Sequence, residues 1–364
     1  MKKLFYFAAA AVALAACAKN EVIPVNSGEN QEITFNVAPK TKADPQTEAF
    51  STDNVFASWA YYLPKGAGTN PNNWADNWNV RSVAKEYISN STIMHMDGVW
   101  KNNATSYYWP KDGKLTFFAY SLNRGDLTLI HNGGASYPIE CHNAENAYGI
   151  NATIDLTENQ NLDLLVAEIA TNKTENETFH NINGVPTLFK HKFSRVQFAV
   201  RKKDNCKDAS ITLKSIKFNN VAYAGHYSQY NKNSEGSFIK DYCKETDAKT
   251  SLGYTSDAFE VESVTDFVPI TKTSEINYIY MPQNFKKVTE ESQIATIEIK
   301  YTVQFRDGIS EDFTRFLKVK DIFESWDVGK KYTFNLIFSL NEITWAPAVQ
   351  DWEDGTTAAD QIVA

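Results

Sequence analysis

The residue whose surroundings specify chemistry most narrowly is Cys17. It follows Leu14-Ala15-Ala16, at the end of an apolar stretch (residues 4–14) that opens on Met1-Lys2-Lys3. A basic start, an apolar centre and a small-residue end make a secretory leader over residues 1–16. A cysteine directly after Leu-Ala-Ala resembles a lipobox, in which the thiol is acylated and becomes the new N-terminus. Each buried CH₂ of such a chain contributes roughly 0.8 kcal/mol, so a multiply acylated Cys17 would be a durable anchor and the only membrane attachment. Three other thiols, Cys141, Cys206 and Cys243, cannot all pair within the chain. Cys206 and Cys243 could bridge, but none of the three has zinc spacing, and buried or unpaired thiols are the expectation.

Constellations that would carry catalysis are missing from the pattern. There is no His-Glu-x-x-His and no Gly-x-Ser-x-Gly. Gly66-Ala67-Gly68 lacks the third glycine of a phosphate cradle and reads as a loop. The six histidines show no metal spacing, and His191 reads as a hydrogen-bonded structural residue. Carboxylates are plentiful, but spacing singles out no glycosidase pair, and the Asp-Gly pairs are turns rather than calcium loops. The expectation is a protein that is not an enzyme, with no catalytic residue, no metal and no cofactor. One aromatic cluster could bind instead of react. Trp74 and Trp78 stand beside Asn and Asp in a Pro/Asn/Gly-rich stretch, a composition suited to stacking on sugar rings. At i and i+4 they equally suit one face of a short helix packed on a sheet.

The chain has 364 residues and a net charge of −8; losing the two leader lysines takes it to −10. An acidic chain with no Lys/Arg block is a poor nucleic-acid binder. A hydrophobic content of 43% excludes wholesale disorder, and no later stretch has the 18 apolar residues of a spanning helix.

The elements that must position these residues have a period of two. Residues 33–37 (Ile-Thr-Phe-Asn-Val) alternate, as a strand does. Two lysines, Lys40 and Lys42, then lie between Pro39 and Pro45, which predicts an exposed loop. Residues 55–62 are apolar and aromatic. Residues 107–110 and 115–120 flank an Asp112-Gly113 turn and read as a hairpin. Strands follow at 163–167 and at 196–200. The cleanest runs from Ile297 to Phe305, turns at Asp307-Gly308 and returns over 313–319; another spans 332–340. Helical spacing occurs only near 321–326, before Gly329. Many short strands without alternating helices predict an all-β chain of antiparallel, Greek-key sandwiches. The polar run 171–183, closed by Gly184, is the expected boundary. The division is then 17–42 (tether and first strand), 43–180 (first sandwich) and 181–364 (second sandwich, with a donor strand expected at its end).

In order and spacing these segments resemble the fimbrillin family of Bacteroidales, in its Mfa-like branch of type V pilus subunits. The lipobox is followed by the Ile-Thr-Phe strand and the Lys-Thr-Lys-Ala loop. Tyr108-Trp109-Pro110 with residues 115–120, Asp163-Leu164-Leu165-Val166-Ala167, residues 188–196 around His191, Tyr280-Met281-Pro282-Gln283 and residues 326–334 complete the likeness. The resemblance implies two transthyretin-like sandwiches and a fimbrial subunit at the outer surface, polymerising by strand exchange and contributing to adhesion. It implies as partners other fimbrial subunits, a trypsin-like processing protease, and a host or bacterial surface receptor. Cleavage after Lys40 or Lys42 would release the strand carrying Ile33, Phe35 and Val37, opening a groove that another strand fills. The alternative reading is a monomeric outer-surface lipoprotein that binds glycans through Trp74 and Trp78.

Overall fold

The computed structural model describes residues 31–37, 50–66, 84–122, 139–142, 148–156, 163–175, 178–179, 182–229, 237–239, 252–270, 279–340 and 342–351. Among these the regular structure is strand, apart from single 3-10 turns at Asp204–Cys206, Glu291–Gln293 and Val319–Asp321. The all-β expectation holds.

The first and largest sheet contains β1 (Phe35–Val37), β2 (Phe56–Leu63), β3 (Lys85–Met96), β4 (Val99–Asn102), β5 (Lys114–Ser121), β8 (Leu165–Ala167), β9 (Ala170–Lys173), β12 (Val185–Thr187) and β13 (Phe189–His191). Its order is β12-β1-β4-β3-β2-β5-β8-β13, with β9 joining β5. The two ends of that order are consecutive in the chain, with only Leu188 between them. One extended run, 185–191, therefore pairs with β1 through its first half and with β8 through its second. The sheet closes into a ring. Its interior holds Ile33, Phe35, Phe56, Tyr62, Trp100, Trp109, Leu115, Phe117, Val185 and Phe189.

All eight residues of β2 are buried, because alternate side chains enter two cores. Phe56, Ala60 and Tyr62 fill the ring. Ala57, Trp59 and Tyr61 face outward onto a second core. That core is covered by a four-stranded sheet, β17-β16-β7-β6, built from β6 (Ile139–His142), β7 (Tyr148–Asp155), β16 (Ala224–Ser228) and β17 (Ser237–Ile239). β16, from well past the expected boundary, pairs with β7 from before it. The two halves of the chain interleave there. The boundary run itself carries a small pair, β10 (Thr178–Phe179) with β11 (Ile182–Asn183).

The remaining strands make a sandwich. One layer is β19-β14-β25-β26, with β20 on β14, from β14 (Ser194–Lys202), β19 (Val268–Pro269), β20 (Ile279–Tyr280), β25 (Lys330–Phe338) and β26 (Ile343–Asp351). The other is β18-β15-β22-β23, from β15 (Ser210–Asn219), β18 (Leu252–Glu260), β22 (Thr296–Gln304) and β23 (Ser310–Lys318). Between them lies the third core. Trp326 packs there edge-on against Phe218 at 5.2 Å and Phe285 at 4.9 Å.

Two local expectations change. Residues 107–110 do not pair with β5 as a hairpin: β5 pairs with β2, β8 and β9. Tyr108 instead bridges to Glu32. The helical spacing at 321–326 yields one 3-10 turn at Val319–Asp321. Ser325–Trp326, named β24, then pairs with β21 (Gln283–Asn284), because Phe323 and Trp326 are both drawn into the core.

Candidate functional site: the N-terminal stave

The segment 31–37 is a stave of the ring, and its sequence explains its seat. Alternation points Ile33, Phe35 and Val37 to one side. Ile33 and Phe35 are 3% and 5% exposed inside the ring core, with Val37 packed at its margin. Phe35 meets Phe56 and Phe117 edge-on at 5.4 and 5.8 Å. Behind them Phe50 stacks on Phe189 at 4.7 Å and tilts against Trp100 at 5.4 Å. The slot is lined by aromatic rings, so it suits large apolar side chains at alternate positions.

The backbone is held along both edges. At its start the Ile33 N–H donates to Tyr107 O at 2.7 Å, and the Trp109 N–H donates to Gln31 O at 3.1 Å. Further on, β1 runs parallel to β12 (Phe35↔Val185 to Val37↔Thr187) and antiparallel to β4 (Phe35↔Trp100). The Val185 N–H donates to Thr34 O at 2.8 Å. Gly184 lets this approach happen. Its φ is +128°, and a Cβ there would stand 3.0 Å from Asn36 N and from the Phe35 carbonyl carbon, and 3.1 Å from Thr34 O. Those are backbone atoms, which cannot swing aside.

The structure thus brings Ile33, Phe35 and Val37 together. Cys17, Lys40, Lys42, Trp74, Trp78 and Cys243 lie outside the described residues. His191 is buried, its Nδ1 2.9 and 2.8 Å from the two carboxylate oxygens of buried Asp163. It orients the end of the closing strand. Cys141 and Cys206 are free, buried thiols. Burial pushes both thiols up from their ordinary range, away from the thiolate a nucleophile needs. Burial likewise raises the Tyr61 hydroxyl beside Cys141. Among the described residues no three His, Cys, Asp or Glu side chains are grouped to hold a metal. The sequence reading missed the aromatic lining and the role of Gly184. The signal available was Gly184 itself, set directly before the β-branched start of a strand.

Among the described residues the fold is all strand apart from three short 3-10 turns, with β1 inserted between β4 and β12, and that fold resembles solved fimbrial proteins. A fimbrial protein from Bacteroides vulgatus matches with a TM-score of 0.62 at 16% identity, over 89% of this chain and 100% of that one. The tip fimbrial protein Mfa3 of Porphyromonas gingivalis also matches, with a TM-score of 0.36 at 10% identity over 89% of this chain and 100% of that one. The fimbrial anchor protein Mfa2 of the same organism has a TM-score of 0.30 at 13% identity, over 89% of this chain and 98% of that one. No curated protein matches the chain. The family model described as fimbrillin-like matches residues 41–352, and the chain belongs to that Mfa-like, fimbrillin-like family.

Proposed function

We propose that this chain is a structural subunit of a cell-surface fimbrium, pilin or accessory component, exported as a lipoprotein acylated at Cys17 and assembled by strand exchange. The observation that supports this is the place of β1. It is a single stave of a closed ring, joined to the rest of the chain by the segment that holds Lys40 and Lys42. A trypsin-like protease cutting after either lysine leaves β1 attached by non-covalent contacts alone. Its departure turns the ring into an open sheet with two new edges, β4 and β12, and an empty aromatic slot. Burying each large apolar side chain there again contributes roughly 1.5–3 kcal/mol, and the paired backbone gives the geometry for strand addition.

The donor in this reading is the C-terminal strand of a neighbouring subunit. β26 is nine residues long and, among the described residues, pairs with β25 alone; Ile343 is its one buried residue. Trp345, Pro347 and Val349 share one face at the same spacing as Ile33, Phe35 and Val37. Receptor binding and adhesion follow from surface display.

The test is the full chain expressed in cells with Lys40→Ala and Lys42→Ala together. The expected result is loss of sheared surface polymer, with mass spectrometry showing an acylated Cys17 terminus. Wild-type polymer should begin at Thr41 or Ala43. Normal polymer from the double variant would overturn processing at this loop.

A further inference from the structure

Among the described residues, β23 and β26 are the edge strands on one side of the sandwich, and they are chemically unlike. Tyr301 of β22 packs edge-on against Phe338 of β25 at 5.1 Å, and Phe198 of β14 packs against Phe218 of β15 at 5.5 Å. β22 therefore faces β25, and β23 and β26 border the same side. Between β25 and β26, the Ser339 N–H donates to Glu342 O at 2.9 Å. Counting along the ladder, even-numbered β26 residues bond to β25 and odd-numbered ones face outward. Pro347 is one of the outward set, and it has no N–H to offer, so this edge is blunted.

On β23 the same counting gives the opposite result. The Phe305 N–H donates to Ile309 O at 2.8 Å before the strand, and the Val319 N–H donates to Ala295 O at 2.9 Å after it. The pairing between them runs from Gln304↔Ser310 to Thr296↔Lys318 without a bulge. The odd residues bond inward. Ser310, Asp312, Thr314, Phe316 and Lys318 direct an unbroken row of N–H and C=O groups away from β22. No proline interrupts it, and Phe316 stands 62% exposed on it.

We propose that β23 is an assembly edge at which two copies of this chain pair antiparallel about a twofold axis through Thr314. That register sets Ser310 opposite Lys318, Asp312 opposite Phe316 and Thr314 opposite itself, and every one of these positions is outward-bonding in both copies. The charges select a second copy as the occupant. Glu311 and Asp312 occupy the first half of the strand, and Arg315 and Lys318 the second. Antiparallel pairing sets each acidic half beside a basic half, with Asp312 diagonal to Lys318 and Glu311 diagonal to Arg315. An axis at Asp312 would instead stack like charges. Present partners fit this arrangement. Lys318 Nζ lies 2.6 Å from Glu291 Oε1, Asp312 accepts the Thr302 hydroxyl at 2.6 Å, and the Arg315 guanidinium lies 5.1 Å from the centre of the Phe313 ring; Arg315 Nη1 also donates to Thr314 O at 3.1 Å, a bond of an exposed side chain that pairing at Thr314 would displace. The result is one continuous sheet across two subunits, independent of the β1 slot.

The experiment uses the full chain in detergent. Thr314→Cys should give a reducible dimer whose disulfide maps to position 314 in both copies, while Lys300→Cys, one strand inward, should not. Thr314→Pro removes an outward N–H that the fold does not use. It should keep the wild-type melting curve and weaken dimerisation at least tenfold by sedimentation. Asp312→Lys should do the same, and adding Lys318→Glu should restore pairing. All of this should persist in the Lys40/Lys42 double variant, which separates this edge from strand exchange. Wild type sedimenting as a monomer at every concentration, or a 314 cross-link to the C-terminal tail or to another protein, would overturn the proposal.

Discussion

The ring and the sandwich treat their terminal strands in opposite ways. In the ring, the first strand supplies core: Ile33 and Phe35 are sealed inside, and Phe35 touches rings from two other staves. In the sandwich, the last strand supplies almost none: Val349 of β26 is 53% exposed although it lies on the core-facing side beside buried Tyr332. A strand that is buried but terminal leaves a specific vacancy when it goes. A strand that is mostly exposed gives up little buried side-chain surface when it leaves, although β26 would still lose its nine-residue pairing with β25 and the burial of Ile343.

The largest effect that would break this contrast is at Phe35. Phe35→Ala removes a ring from a closed aromatic core and should cost about 3–5 kcal/mol. Val349→Ser on β26 should stay within about 0.5 kcal/mol, as an exposed surface change does. Urea unfolding of the two variants beside wild type measures both. Equal losses would show that β26 is as integral as β1, and the donor assignment would fall.

A smaller effect sharpens the same contrast through glycine. Gly184 and Gly308 both hold left-handed backbone, at φ +128° and +86°. A Cβ on Gly308 would meet nothing within 4 Å, whereas one on Gly184 would strike the β1 backbone. Gly308→Ala should cost about 1 kcal/mol of conformational strain and no more. Gly184→Ala should cost roughly 1–3 kcal/mol and should also loosen β1. Hydrogen exchange at Phe35 and Val37 reads that second part. Faster exchange there in Gly184→Ala but not in Gly308→Ala is expected; unchanged exchange would mean β12 yields and Gly184 does not shape the slot.

How much of this was legible depended on whether a strand keeps its period. β22 reads plainly, because Ile297, Ile299, Tyr301 and Val303 alternate without a break and all are buried. β15 does not. A register shift between Leu213 and Ser215 puts Leu213 and Ile216 on the same side, three residues apart, which disrupts the period of two. β26 was hidden by Pro347, which argues against a strand except at an edge. For the site, the alternation of Ile33, Phe35 and Val37 gave the inward face directly. The parallel pairing with β12 and the aromatic lining come from residues 15 to more than 150 positions away, and no local pattern carries such partners.

The smallest expected effect lies where the two regions join. His226 sits on β16, the strand that crosses from the sandwich half of the chain to pair with β7. Burial lowers its affinity for a proton below the ordinary value of 6.5. The unfolded chain therefore binds that proton more readily than the folded one. The stability due to neutral His226 is complete above pH 6.5 and is lost as pH falls from 6.5 towards its lowered folded value. Hydrogen exchange at the β7 and β16 amides should speed up on acidification through this window, while amides of β22, deep in the sandwich, should respond less. His226→Gln should remove the difference between the two sets. If β7 and β16 in the variant still loosen at the same pH as wild type, another group controls the join.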